Sequence, residues 1–259
     1  MTYDFDGKQY RQASTHQKEW GAKLIAELKL QGHERILDLG CGDGELTAQL
    51  ATAVPSGAVL GIDASEGMLA EAGKHSLPNL SFRLLDIREM EFDAEFDVGF
   101  SNATLQWVKD HRAMLRGVHK ALREGGVARF QFAGDGNCSN LIRVVREVMA
   151  CHQFVRCFTA FEWPWYMPTV DSYRQLLAEG SAFREVSVWG EVADRHFPDA
   201  QSMIRWIEYP SLVPFLACVG NHDKQRFRDE VVQRMLNTTQ QPDGRYFETF
   251  RRINLLARK

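Results

Sequence analysis

The chain lacks what would mark it for a membrane, a disulfide framework or a polyanion. None of its apolar runs reaches the roughly 18 residues that a bilayer span requires. The first residues, Met1 to Asp6, are polar and acidic with isolated aromatics, unlike the basic and apolar blocks of a secretory signal. Five cysteines (Cys41, Cys138, Cys151, Cys157 and Cys218) are odd in number and scattered. None forms a Cys-x-x-Cys pair, so neither a zinc site nor a disulfide framework is expected, and a reducing cytoplasm is the expected setting. The formal net charge is only −3, from 31 basic and 34 acidic side chains. No basic stripe stands out, so neither nucleic acid nor an anionic membrane is an expected partner. Internal repeats, low-complexity tracts and long linkers are also missing. What remains is 259 residues, 44% of them apolar, enough for one large domain or one domain with an appendage.

The densest chemical signal is Ile36-Leu37-Asp38-Leu39-Gly40-Cys41-Gly42-Asp43-Gly44. An apolar run stops in three glycines at alternate positions, and a segment with helical periodicity, Glu45 to Val54, follows. Such a pattern predicts a buried strand, a tight turn and a helix N-terminus, the opening unit of a nucleotide-binding α/β sheet. Glycine at 40, 42 and 44 permits positive φ and lets a ligand touch bare backbone. A dinucleotide wants Gly-x-Gly-x-x-Gly, with its pyrophosphate at the helix end. Here the spacing is one residue shorter, and Asp38, Asp43 and Glu45 would each repel a pyrophosphate by on the order of 1 kcal/mol. The same carboxylates suit a cation. S-adenosylmethionine, with a sulfonium, an α-amino group and no phosphate, is therefore favoured over NAD.

Strands and helices alternate after the loop. Strands are expected at Arg35 to Leu39, Val59 to Ile62, Ser81 to Leu85, Phe96 to Ser101 and Gly126 to Phe132, with helices at Glu45 to Val54, Glu66 to His75 and Asp110 to Leu122. This alternation predicts a Rossmann-like, doubly wound, mostly parallel α/β sheet of seven strands. Acids stand at successive strand ends: Asp63 can accept both ribose hydroxyls, and Asp86 can accept from an adenine amine. Met68 and Ile87 are spaced to sandwich the ring. A helix from Thr15 to Lys29 is either a packing helix or a lid, with Tyr10 and Gln17 as ligand contacts. Two parts are expected: residues 1–133 as a donor-binding core with this lid, and 134–259 as the rest of the sheet plus a mainly helical appendage, whose insertion at about 199–239 caps the substrate. The last strand, Arg252 to Ala257, is expected to pair antiparallel with a strand near 186.

Three segments, Ile36 to Gly44, Gly61-Ile62-Asp63-Ala64-Ser65 and Leu85-Asp86-Ile87, resemble the first three motifs of class I S-adenosylmethionine-dependent methyltransferases. The likeness covers about residues 33 to 133. It implies donor contacts from Asp38, Gly40, Gly42, Gly44, Asp63, Ala64, Met68, Asp86, Ile87 and Asn102, to which the lid reading adds Tyr10 and Gln17, and S-adenosylhomocysteine as product. Phe100 to Val108, with Asp110-His111, is similar to the trans-aconitate methyltransferase group and to the malonyl-acyl-carrier-protein methyltransferases, and more distantly to insect juvenile hormone acid methyltransferases. That resemblance implies methyl transfer to a carboxylate of a small or carrier-bound acid. The segment Tyr10 to Gln17 departs from the aconitate pattern.

A carboxylate is ionised at neutral pH, so its methylation needs positioning rather than a base. Candidates for the acceptor site are Gln106, Trp107 and His111 just past the fourth strand, where open α/β sheets place their ligands. The appendage adds Trp163, Trp165, Tyr166, Arg195, His196, Arg205 and Trp206; of these, Trp165, Tyr166 and Arg205 join the expected substrate set. Each has a bland alternative: Trp107 as core, His111 facing solvent, the aromatics at 158–166 as a packed hinge, Arg205 as a surface charge. No catalytic base is assigned; for a phenol, amine or carbon acceptor, His16, His111 or His196 would be tested first. A methyltransferase for another oxygen, nitrogen or carbon, or a non-catalytic donor-binding protein, stays open. A monomer is expected, with a dimer as alternative, and no metal. One arginine in the acceptor space would point to a monocarboxylate, two or three to a polyacid, and an aromatic wall to a lipid-like or ring acceptor.

Overall fold

The computed structural model describes residues 3–180 and 182–259; Met1 and Thr2, part of the N-terminal stretch considered above, lie outside them. The chain runs through α1 (Gly7–Ala13), α2 (Thr15–Glu27), β1 (Arg35–Leu39), α3 (Glu45–Ala53), β2 (Ala58–Asp63), α4 (Glu66–Ala72), β3 (Leu80–Leu84), β4 (Phe96–Asn102), α5 (His111–Ala121) and β5 (Leu122–Ala133). It continues through α6 (Ser139–Met149), α7 (Val170–Gly180), β6 (Glu185–Val192), β7 (Arg195–Phe197), α8 (Ala200–Trp206), α9 (Val213–Leu216), α10 (Lys224–Thr239), β8 (Tyr246–Glu248) and β9 (Arg251–Arg258). Seven strands form one sheet in the order β3-β2-β1-β4-β5-β9-β6. All pairs are parallel except those made by β9, which runs antiparallel to β5 and to β6, with Val186 opposite Ala257.

The period of two in the strands divides the core. Ile36, Val59, Val98 and Phe100 meet Leu24 of α2 and Leu50 of α3 on one face. Leu37, Leu39, Ile62, Phe130 and Phe132 meet Met114 and Val118 of α5 and Tyr173 of α7 on the other. A strand covered on both faces has no room for polar alternation, which is why β1 after the exposed Arg35 is apolar except at Asp38. A third apolar cluster joins Val144 and Val148 of α6, Met203 and Trp206 of α8, and Phe227 and Val231 of α10. The segment between β6 and β9, together with α6, thus builds a further core beside the sheet.

The expected helices and strands of the main sheet are present, with shifted ends. The helix predicted over Thr15 to Lys29 stops at Glu27, and Lys29 has a positive φ of 49°. Residues 7–13, read as mixed signals, form a separate helix whose N-cap Asp6 accepts from the Gln9 amide at 3.0 Å. The two-stranded sheet of β7 and β8 was not expected, because three-residue strands carry too little periodicity to register. The N-terminal strap is tied across the top of α4: Ser65 Oγ donates to Asp4 Oδ1 at 2.6 Å, and the amides of Phe5 and Gly67 donate to Ser65 Oγ and Asp4 Oδ1.

Candidate active site

Seven parallel and antiparallel strands leave one edge where β1, β2 and β4 all end, and the glycine loop crosses it. The Gly40 and Cys41 amides both donate to the Ile62 carbonyl, at 2.8 and 3.0 Å, fastening the loop to the end of β2. Gly40, Gly42 and Gly44 have φ of 73°, 56° and 77°, a region that costs other residues about 1–2 kcal/mol. The carboxylate of Asp63 closes the loop from the far side, Oδ2 accepting from the Gly42 amide and Oδ1 from the Ser65 amide, both at 2.9 Å. Above this edge lies a cavity of about 730 Å³, walled by strand ends below, the strap and α1 at one side, and the appendage opposite. Such a place, outside the carboxyl ends of the strands, is where open α/β sheets bind ligands.

Of the expected donor contacts, Tyr10, Gln17, Asp38, Gly40, Gly42, Asp63, Ala64, Met68, Asp86, Ile87 and Asn102 line this cavity. Gly44 does not. A Cβ there would meet Phe82 at 2.8 Å and the Ala72 backbone at 2.9 Å, so this glycine exists for close helix packing rather than ligand approach. The charge argument also needs correction. Asp43 and Glu45 are not free to meet a cation, because Lys18 reaches both, at 3.0 and 2.6 Å. The carboxylates left are Asp38, which accepts from Thr47 Oγ1 at 2.7 Å, and Asp63. Asp86 is held by Arg88, whose Nε and Nη2 donate to it at 2.9 and 2.6 Å, and this keeps its carboxyl below the usual range.

Buried acceptors test the fit of a cationic donor. Asn102 gives its Nδ2 to the Gln17 carbonyl at 2.8 Å, while its own Oδ1 and the Oε1 of Gln17 are buried without a partner. Unpaired buried acceptors cost about 1–3 kcal/mol each unless a ligand donates to them. An α-amino group and a sulfonium supply donors and positive charge, so the set Asn102, Gln17, Asp38 fits S-adenosylmethionine. Ala103, next in the chain, has a φ of 58°, strain placed at the lip of the cavity.

Burial raises Asp38 to about 7, only partly offset by the Thr47 hydrogen bond, with Asp63 adding to the rise. A cation prefers the ionised carboxylate, so donor binding is coupled to proton release. Affinity for S-adenosylmethionine is therefore expected to fall as pH drops below 7, by up to about tenfold per unit for one coupled proton. Calorimetry from pH 8 to 5.5 would show it, and Asp38→Asn would flatten the profile; a wild-type affinity constant over that range would rule the coupling out.

Three expected acceptor residues lie elsewhere. His111 is buried in the core under the sheet, its ring nitrogens 3.0 Å from Tyr173 Oη and 3.0 Å from the Leu105 carbonyl. Burial lowers its pKa to about 4, so it is a neutral structural strut. Tyr166 stacks on His111 at 4.8 Å between ring centres rather than facing the cavity. Arg205 turns back along α8, donating to Ser202 Oγ at 3.1 Å. Each was placed by sequence proximity to a lining neighbour, and side-chain direction decided otherwise. Of the histidines considered as bases, none lines the cavity: His16 packs among Trp20, Phe197 and Phe250, and His196 against Phe247. Gln106 and Trp107 do line it, as does Trp165. Both ends of Gln106 are engaged, Nε2 donating to the Ala103 carbonyl and Oε1 accepting from the Ala133 amide, so it braces the loop after β4.

Sequence reasoning missed Arg252. It is 4% exposed, lines the cavity, and lies opposite Ala133 at the end of β5. Its guanidinium stacks over Trp20 at 4.8 Å, and Nε and Nη2 have no hydrogen-bond partner among the described residues. Burial lowers its pKa to about 10, so it stays charged at neutral pH. A charged residue at the head of the expected last strand, before Ile253, Leu255 and Leu256, was the available signal.

A methyltransferase-domain family model matches residues 36–126. The trans-aconitate 2-methyltransferase of Deinococcus radiodurans is 32% identical over 99% of this chain and 98% of its own length. That of Methylobacterium radiotolerans is 30% identical over 92% of each. Among solved structures, loganic acid methyltransferase with S-adenosylhomocysteine superposes with a TM-score of 0.69 at 11% identity, over 98% of this chain and 94% of that one, and shares the fold. With its glycine loop, strand-end acids and full-length likeness to such relatives, the chain belongs to the trans-aconitate 2-methyltransferase family of class I S-adenosylmethionine-dependent methyltransferases.

Proposed function

We propose that the enzyme esterifies a carboxylate of an acid acceptor. The observation that carries this reading is the buried guanidinium of Arg252, its Nε and Nη2 without a hydrogen-bond partner among the described residues, inside a cavity whose described lining holds no histidine. A buried charge without a partner is costly by several kcal/mol, and an anionic substrate removes that cost. The relatives' names, trans-aconitate 2-methyltransferases, support an acid acceptor.

Asn102, Gln17, Asp38 and Asp63 would hold the donor, which supplies an electrophilic methyl group on sulfur. A carboxylate oxygen lone pair forms the new O–CH3 bond as the S–CH3 bond breaks and its electron pair returns to sulfur, leaving an ester and S-adenosylhomocysteine. No proton moves in that exchange, which matches a cavity with no histidine among the described residues of its lining. The chain's own work is to orient the acceptor, exclude water and set the oxygen in line with the departing sulfur.

Incubation with methyl-labelled S-adenosylmethionine and a panel of mono-, di- and tricarboxylic acids tests the reading. Base-labile methyl ester and an equal amount of S-adenosylhomocysteine are expected with at least one acid. Donor binding with no ester from any acid would overturn it.

A further inference from the structure

The cavity walls say more about the acceptor than that it is an acid. Four cationic and five acidic side chains line the cavity. Lys18 is spent on Asp43 and Glu45, and Arg88 on Asp86. Lys109 stands at the exposed rim and donates to the Trp163 carbonyl. Arg252 is thus the one buried cation of the lining with no ion-pair partner among the described residues. A second or third carboxylate on the acceptor would be buried without a counter-charge, in a lining that already holds Asp38, Asp63 and Glu162.

The rest of the acceptor side is aromatic. Trp107 is at the centre of a chain of tilted and edge-to-face contacts, 5.6 Å from Phe5 and 5.6 Å from Trp165. Trp165 continues to Trp163 at 5.6 Å, and Phe161 meets Trp163 edge-on at 6.1 Å. All five rings line the cavity. Their edges offer apolar surface, and none of them offers a charge. The strap contributes part of this wall, since Phe5 is fixed there by the Ser65 and Asp4 bonds already described.

Resting on the proposed carboxylate esterification, we infer that the acceptor is a monocarboxylic acid with a bulky apolar or aromatic body, its single carboxylate on Arg252 and its body against the wall of Phe5, Trp107, Phe161, Trp163 and Trp165. This differs in acceptor class from the tricarboxylate in the relatives' names. Of the enzyme's own groups, one guanidinium neutralises one carboxylate, and the apolar body replaces water against the rings.

The test compares kcat/KM for decanoate and 3-phenylpropanoate with that for trans-aconitate and citrate, reading methyl ester by mass spectrometry. The monocarboxylates are expected to exceed the polyacids by about a hundredfold, because each extra buried carboxylate lacks a partner. Preference for trans-aconitate or citrate would overturn the inference while leaving carboxylate esterification standing; no ester from any acid would overturn both. A second arm uses Arg252→Met, which keeps the volume and removes the charge. Monoacid KM is expected to rise about a hundredfold, with the affinity for S-adenosylhomocysteine unchanged by calorimetry and partial recovery in Arg252→Lys. Weakened S-adenosylhomocysteine binding with unchanged acceptor KM would assign the guanidinium to the donor's own carboxylate instead. Unchanged acceptor and donor parameters would remove Arg252 from the site altogether. Loss of folding does not confuse the result: removing an unpaired buried charge is expected to hold or raise the Tm of the ligand-free protein.

Discussion

Asp63→Ala is expected to weaken S-adenosylmethionine binding by at least about a hundredfold and to lower Tm as well, because two loop amides lose their acceptor. Asp63 accepts two charge-assisted hydrogen bonds, from the Gly42 and Ser65 amides, and in the proposed donor site the same carboxylate would also accept from the ribose hydroxyls. Bonds of this kind are each worth about 1.5–3 kcal/mol, so losing the ribose pair alone accounts for two orders of magnitude or more. The loop also loses its brace. Asp63→Asn is expected to be nearly as damaging despite its shape, since an amide nitrogen would face a backbone amide that can only donate. Equilibrium binding by calorimetry or fluorescence quenching reads the effect. A change of less than about tenfold in both variants would remove Asp63 from the donor site and leave it a loop brace only.

Gly40→Ala is expected to damage the fold itself, by about 3–5 kcal/mol. A Cβ on Gly40 would sit 2.0 Å from Thr104 Cγ2 and 2.6 Å from its Cβ, at a φ of 73° that L-residues resist. Thr104 has little freedom to retreat, because its hydroxyl donates to the Gly40 carbonyl at 3.0 Å and ties the loop after β1 to the loop after β4. Adding Thr104→Gly should relieve the overlap but not the backbone strain, so the double variant is expected to recover about half of the loss. Denaturant unfolding of the four proteins gives the coupling directly. Additive losses would mean that the two loops part readily and that the strain alone sets the cost.

The two variants separate two uses of one loop. Gly40 and Gly44 answer to neighbouring side chains, while Gly42, which has nothing within 4 Å of an added Cβ, leaves its space to a ligand. Sequence spacing cannot make that distinction, since all three glycines have positive φ and differ only in what stands beside them.

The same limit explains the acceptor site. The alternation of strands and helices, the loop and the strand-end acids were readable because each depends on local periodicity and on residues a few positions apart. Trp165 and Tyr166 are neighbours in the chain, yet one lines the cavity and the other stacks on His111 in the core under the sheet. A one-residue step in an extended segment reverses the side chain's direction, and no composition reveals the starting phase. The charges behaved similarly. Asp38, Asp43 and Glu45 look alike in the sequence, but Lys18, on α2 and more than twenty positions away, neutralises two of them and leaves the third.

By itself, the sequence determined the alternation of strands and helices, the loop that crosses the sheet's edge and the acids at the strand ends, because those are written in short-range pattern. Only the tertiary structure decided which carboxylates stay free and what surrounds the acceptor. Arg252 enters the cavity because β9 is inserted antiparallel between β5 and β6, bringing it beside Ala133, more than a hundred residues earlier in the chain. Charge compensation and cavity shape are sums over such distant neighbours, and in water-poor surroundings a single unpaired guanidinium outweighs the composition of the whole chain.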